Sequence, residues 1–369
     1  MLRKLLKYLL LIVNIIFAAM LIVSGAARWL NPAQHTTVAI IGMFFPILML
    51  INLLMALCWL LMLKKNALLS LTVVLLFVHR YISFSTDSDA SGGLQLRVLT
   101  YNTHNFGLNQ RPEHLQIMHE MVDFVGMQNV DIACFQEYTN GEHTLPVDAN
   151  IAGKFGYSHI CYMPERWVRG DTHSGLATYS RYPIVGRQQI AADGKTDKMI
   201  IYTDIKIGND TLRVFNCHLQ SNQFSNGEYE FIQKVNTLDA DVYDTSKLDE
   251  NRSGMLSIVR RMKRAYEWRV RQAATLVDYV RNSPYPTIVC GDFNETQSSY
   301  IYRLVVKGMC DSDQLGSIAM HNTYRRFFPG IRIDYILYNA DMRRVSCEVP
   351  AFDLSDHRPV VAEYKLHQH

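Results

Sequence analysis

No aspartate or glutamate occurs in the first 84 residues of this 369-residue chain, although the whole contains 34 of them. The charges in that stretch are Arg3, Lys4, Lys7, Arg28, Lys64, Lys65 and Arg80, all basic. Acidic residues outnumber basic ones beyond it, so the formal net charge of +3 is no sign of a basic, nucleic-acid-binding surface. Other absences narrow the field further. The seven cysteines show no CxxC or CxxxH spacing, and no HExxH pair occurs, so neither a zinc site nor a redox motif is indicated. No internal repeat or low-complexity tract is present. With 49% hydrophobic and 19% charged residues, the chain is neither disordered nor collagen-like, and it is long enough to bury a sizeable core.

What the first 84 residues do contain is apolar length. Runs at 5–27 and 38–63 are each long enough to cross a hydrocarbon core of about 30 Å. A third, 67–84, spans only if Arg80 snorkels and Tyr81 sits at the interface. A cleaved signal peptide for the first run and a re-entrant hairpin for the third are the alternatives. The expectation is an all-α transmembrane region of about three helices over 1–84, in contact with the lipid bilayer. Lys/Arg bias places Arg3, Lys4, Lys7, Lys64 and Lys65 in the cytoplasm. Three spans then make the protein multi-pass in the cell membrane, with residues 85–369 on the extracytoplasmic side, the periplasm where there are two membranes. Two spans would leave those residues in the cytoplasm.

Residues 85–95 read as a linker opening on Ser, Asp and Gly. Residues 96–369 then alternate strand and helix patterns, which suggests an α/β (α+β) domain of stacked sheets flanked by helices. Strand patterns fall at 94–101, 130–135, 175–180, 199–207, 211–218, 287–290, 331–338, 345–349 and 359–365; helical ones at 112–127 and 253–281. Cys134, Cys217 and Cys290 lie within apolar strands as small buried hydrophobes. Cys161, Cys310 and Cys347 are free to pair.

Polar residues stand where the apolar strands end: Asn102, Glu137, His218, Asp292 with Asn294, and Asp356 with His357, while Asp334 lies within a strand. A single such placement is explained by a turn or a cap; six in one domain point to a site. Hard carboxylate oxygens from Glu137 with Asp292, Asp334 or Asp356 suit Mg2+ or Mn2+, which retains waters and takes a phosphate oxygen as ligand. Asn102 and Asn294 donate to phosphate or accept at a metal without adding charge. On an extended chain Asp292 and Asn294 point the same way. His218 and His357 are candidate proton-transfer groups. Asp356 and His357, being neighbours, serve different partners.

The runs RVLTYNTHNFG (97–107), DIACFQEY (131–138), GLATYSRYPI (175–184), FNCHLQS (215–221), IVCGDFNE (288–295), RIDYILYN (332–339) and SDHRPV (355–360) resemble the endonuclease/exonuclease/phosphatase superfamily, over about 96–366. The resemblance implies a four-layer αββα sandwich and a divalent-metal-dependent phosphoric-ester hydrolase, a phosphodiesterase or phosphatase. It implies that Glu137 holds the metal beside Asn102, with Asp334 and Asp356 completing the acidic set. Asp292 would orient or deprotonate the attacking water, Asn102 and Asn294 would hold phosphate, His357 would contact the scissile phosphate, and His218 matches the deoxyribonuclease and sphingomyelinase branches. The glutamate that supports the first histidine in pancreatic-type deoxyribonucleases has no counterpart near 175–184. RIDYIL stands where inositol phosphatases have WCDR, with Arg332 offered to a phosphate.

Lipid-linked or small phosphoesters are the expected substrates, with DNA or RNA the alternative and a non-catalytic binding protein the other class. No obligate protein partner is expected. The basic stretch from Arg260 to Arg271 reads as a solvated helix face, an anionic-lipid contact or a phosphate contact. Residues 224–251 read as a polar, acidic surface loop or a lid. Residues 323–328 read as a loop lining the site.

Overall fold

The computed structural model describes residues 2–78, 94–108, 112–141, 147, 156–190, 199–237, 248–313, 321–326, 330–339 and 342–366. Residues 85–93 of the expected linker and the end of the third apolar run lie outside them, and the linker's last two residues, 94 and 95, are strand instead.

The apolar stretch begins as α1 (Leu2–Ala26), followed by one 3-10 turn (Ala27–Trp29). Residues 2–29 form the one described helix long and apolar enough to cross a membrane, a property that a signal sequence shares. The expectation of three spans is corrected here. The second run is broken into α2 (Thr36–Met43) and α3 (Phe45–Leu61), which meet at 62°. Pro46 is the physical reason: it has no N–H to donate, and its ring clashes with the carbonyl four residues earlier. The third is described over α4 (Ala67–Val78), 12 residues, and these described residues alone are fewer than the roughly 20 that a span needs. α1, α3 and α4 share a small core of Leu21, Phe45, Leu48, Val74 and Phe77. Buried polar ties cross it. Asn52 donates to the Phe17 carbonyl at 3.0 Å, and Ser70 bonds Asn14.

Beyond it the described residues form twelve strands: β1 (Leu94–Asn102), β2 (Ile132–Asn140), β3 (His159–Arg169), β4 (Thr172–Ser180), β5 (Ile184–Ile190), β6 (Ile200–Ile207), β7 (Asp210–His218), β8 (Thr287–Asp292), β9 (Cys310–Asp311), β10 (Asp334–Tyr338), β11 (Met342–Glu348) and β12 (Val360–Leu366). They form two mixed six-stranded sheets, ordered β11-β12-β1-β2-β4-β3 and β5-β6-β7-β8-β10-β9. Only β1 with β2 and β7 with β8 run parallel among these neighbours. Both faces of the central strands are apolar because both are covered. Leu96, Val98, Ile132 and Cys134 of the first sheet meet Val214, Ile288, Cys290 and Ile336 of the second in an inter-sheet core. The first sheet's outer face packs on α5 (His114–Met127) through Met118, Met121 and Val125. The second packs on α7 (Leu248–Arg281) and α8 (Tyr300–Val306) through Tyr266, Leu276 and Ile301. Helix, sheet, sheet and helix thus make an α/β sandwich, the layering that the resemblance implies. All seven cysteines are unpaired thiols.

The segment after β7 differs from a surface loop. Residues 226–236 form α6 (Asn226–Asn236), and its start is a capping box in which Ser225 and Glu228 satisfy each other's free backbone donors. Residues 238–247 lie outside the described part.

Candidate active site

Both sheets end at one cleft, of about 130 Å³. The second sheet's central strands bring three groups into one row. In the β7–β8 register His218 stands opposite Asp292, and in the β10–β8 register Asp334 stands opposite Asp292 from the other side. Gly291 allows this approach: it has φ +135°, and a Cβ there would lie 2.0 Å from the Cys217 carbonyl oxygen. The first sheet supplies Asn102 at the end of β1. It supplies Glu137 from a bulge in β2, where the register with β4 shifts between Phe135 and Tyr138 and Glu137 takes φ +48°. Such a bulge re-aims a side chain. The Ser355–His357 turn is tied to β1 by the Ser355 hydroxyl, which donates to the Asn102 carbonyl at 2.8 Å.

Of the residues expected in the site, Glu137, His218, Asp292, Asn294, Asp356 and His357 line the cleft. Asn102 and Asp334 stand behind it. Asn102 Nδ2 donates to Asp292 Oδ2 at 3.1 Å, and its Oδ1 accepts the His104 N–H at 3.1 Å. Asp334 Oδ2 is 2.9 Å from His357 Nδ1. Asp356 and His357 do face different partners. Asp356 lies 3.3 Å from His104 Nδ1 and 2.8 Å from Arg326 Nε, whereas His357 meets Asp334 and Asp292. Asn294 departs from the extended-chain expectation. It has φ +52°, donates its backbone N–H to Asp292 Oδ1 at 2.8 Å, and donates from Nδ2 to the Leu219 carbonyl. Arg332 does not reach the cleft; it is buried against Asp311 at 2.6 Å and beside Asp313 at 3.5 Å.

Of the cleft residues that were not expected in the site, His104, Tyr229, Arg269 and Met43 bear most on its chemistry. His104 Nδ1 lies 3.5 Å from Glu137 as well as beside Asp356. It stands in the His-Asn-Phe-Gly run after β1, where three consecutive non-glycine residues take positive φ, a turn that sequence periodicity does not signal. Tyr229 stands on α6, whose Ser225–Glu228 spacing was legible as a capping box. Arg269, from the basic stretch, is buried, pairing with Glu295 at 2.7 Å and donating to the Gln220 carbonyl at 2.7 Å. Met43 comes from α2, in the apolar region. The 323–328 loop does line the cleft through Tyr324 and Arg326, and Tyr324 packs on the His357 ring at 4.8 Å between centroids.

Burial sets the electrostatics. It pushes the Asp292 carboxyl well above the usual range; His357 opposes that and Asp334 adds to it. Burial alone would lower the His357 imidazole, but the Asp334 and Asp292 carboxylates outweigh it and hold the ring protonated above neutrality. The donors also fit a hard divalent cation. The Asp292 and Asp334 carboxylates come together beside His357, and Asp334 Oδ1 is buried without a hydrogen-bond partner. Glu137 and Asp356 add two further carboxylates converging beside His104. Oxygen-rich sets of this kind suit Mg2+ or Mn2+ rather than zinc.

Carboxylates and histidines gathered from separate strands at one end of two packed sheets form a site of the kind hydrolases use, with donors able to hold a divalent metal. The sequence profile of the Endonuclease/Exonuclease/phosphatase family matches residues 99–357, and the chain belongs to that family, whose members hydrolyse phosphoester bonds. A second profile, for a domain of unknown function (DUF8431), matches residues 7–84. Among solved structures, an endonuclease/exonuclease/phosphatase from Beutenbergia cavernae is 15% identical, with TM-score 0.52 over 74% of this chain and 72% of that one. TDP2 from C. elegans is 15% identical, with TM-score 0.50 over 76% and 78%. Sphingomyelinase C from Streptomyces griseocarneus is 19% identical, with TM-score 0.48 over 73% and 99%. At such identities the likeness is one of fold. No curated protein sequence matches the chain.

Proposed function

We propose that this hydrolase is membrane-anchored and acts on lipid-linked or small phosphoesters with Mg2+ or Mn2+. The observation that carries the reading is the meeting of Glu137, His218, Asp292, Asp356 and His357 in one small cleft. The divalent ion, held by Glu137 and Asp356 with Asp334 Oδ1 and Asn102 behind them, would supply positive charge against the phosphate. Asp292 accepts a proton from the attacking water, a role that its raised proton affinity suits. Asn102 and the Asn294 backbone fix its two oxygens, so it points one way throughout. His357, oriented by Asp334 and kept cationic, stabilises negative charge on the phosphate oxygens. His218, buried between Glu137 at 3.8 Å and Asp292 at 3.7 Å, supplies a second imidazole beside the phosphate. Asn294 lines the cleft as a neutral donor to phosphate.

α1 supports the anchor. The 3-10 turn after it meets α8, with the Arg303 guanidinium 3.6 Å from the centre of the Trp29 ring. The catalytic domain therefore sits at the end of α1 opposite Arg3, Lys4 and Lys7. With those residues cytoplasmic, the domain is extracytoplasmic. A cleft this small, rimmed by Glu137, Asp356 and Asp292, favours a compact phosphoester over a polynucleotide, whose affinity comes from a basic track.

The test uses detergent-purified full-length protein on a panel of anionic lipids, sphingolipids, nucleotides and DNA with Mg2+, with Glu137→Ala as blank. Turnover of a lipid or small phosphoester that the variant lacks is expected. Turnover of DNA alone would overturn the substrate assignment.

A further inference from the structure

The hydrolase cleft is not built by the catalytic domain alone. α2 lies against the second sheet's helical layer, where Ala39, Ile40 and Met43 pack on a core that includes Met262, Tyr266 and Tyr302. Met43 Sδ is 3.9 Å from the Tyr266 hydroxyl, and both residues line the cleft with Phe224 and Tyr229. One residue further on the chain changes surroundings. Phe44 is 50% exposed, and α3 beyond it shows Leu50, Leu53, Leu54 and Leu57 on an open face, each about half exposed. An exposed apolar stripe of this size on a helix next to a membrane-length helix faces lipid. The cleft wall at Met43 is thus continuous, within one residue, with a lipid-facing surface.

We infer that α2 is a fixed wall of the catalytic cleft and that Met43 is a specificity-determining residue, selecting phosphoesters that carry an apolar chain. The chain leaves the cleft past Met43 and Phe44 along the lipid-facing side of α3, while the phosphate lies among His104, Glu137 and His357. This rests on the hydrolase reading and deepens it: the substrate is an amphiphile, and the N-terminal region recognises its apolar part as well as holding the enzyme at the membrane. The physical reason for a methionine is its unbranched thioether, which adapts to a flexible chain without a polar cost.

The test compares hexyl 4-nitrophenyl phosphate with methyl 4-nitrophenyl phosphate, using full-length protein in lipid nanodiscs with Mg2+. Both release the same chromophore, so only the chain differs. Wild type is expected to favour the hexyl ester by about tenfold or more in kcat/KM. Met43→Gln, of similar length but polar, is expected to reduce that preference to below about threefold through KM, and Met43→Leu to keep it. An unchanged preference in Met43→Gln, or none in wild type, overturns the inference while leaving the hydrolase reading in place. Turnover of neither ester removes both. A second readout needs no activity. With Cys310→Ser in place, an Ile40→Cys thiol is expected to resist a water-soluble maleimide until the protein is denatured, with mass spectrometry locating the label. Immediate labelling at position 40 means that α2 is undocked, and overturns the inference.

Discussion

Replacing Asp334 by asparagine removes one charge from the site and little else. Asp334 opens β10, is almost wholly buried, and donates its backbone N–H to Thr323 Oγ1 at 3.1 Å. The variant keeps that bond and the shape of the side chain, so the fold persists. What is lost is the charged half of the 2.9 Å contact with His357 Nδ1. A hydrogen bond with an ionised partner contributes about 1.5–3 kcal/mol. If that interaction serves the transition state, kcat falls about 10- to 150-fold. The pH profile carries a separate sign. Asp334 and Asp292 raise the His357 pKa above its ordinary value, so the cationic ring persists into the basic range and activity is lost only as pH rises through that raised pKa. Without Asp334 the basic limb of kcat moves to lower pH. Stopped-flow or plate assays of bis(4-nitrophenyl) phosphate hydrolysis across pH 6–11 measure both effects. A kcat within about threefold of wild type, or a basic limb that does not move, refutes the positioning role. Calorimetry of Mn2+ binding separates the other possibility: lost affinity in Asp334→Asn would make it a ligand.

Other perturbations test the same geometry. Arg269 is buried with Glu295 as its ion-pair partner, so Arg269→Met strands a buried carboxylate and is expected to cost about 3–5 kcal/mol. The loss appears as a lower Tm in detergent and is largely restored in Arg269→Met/Glu295→Met; equal Tm for wild type and the single variant would contradict this. Burial pushes the Glu228 carboxyl up, but hydrogen bonds from Ser257, Ser225 and Arg261 outweigh it and hold the pKa at about 2. A carboxylate that titrates near 4.3 when unfolded then contributes stability that is complete above that value and lost as pH falls toward about 2. Thermal unfolding in detergent from pH 5 to 2 is expected to show a steeper acid loss in wild type than in Glu228→Gln, and parallel curves would count against the capping network.

Much of this was legible, and the failures have physical causes. Strand ends were readable because apolar alternation stops abruptly at Asn102, His218 and Asp292, where carboxylates and amides offer nothing to a core. Sequence spacing also separated Asp356 from His357 correctly. His104 escaped because its turn is made of non-glycine residues in the left-handed region, which neither helical nor strand periodicity registers. The spans were overcounted because hydropathy measures composition while spanning requires continuous helix, and Pro46 breaks what composition presents as a single second run. The same limit hid Met43: an apolar residue reads alike whether it faces lipid, a core or a catalytic cleft. Arg332 looked available to phosphate because its partners Asp311 and Asp313 lie some twenty residues earlier in sequence and join it only through the β9–β10 pairing.

The central claim, a metal-dependent phosphoester hydrolase centred on Glu137, is tested most directly by one titration. Full-length protein stripped of divalent ions is assayed for 4-nitrophenyl phosphodiester hydrolysis as Mg2+ or Mn2+ is restored, beside Glu137→Gln. Activity that rises with metal and saturates in wild type, and stays at background in a folded Glu137→Gln that binds metal weakly, is the predicted result. Equal turnover by both proteins, or turnover indifferent to chelation, would contradict the account.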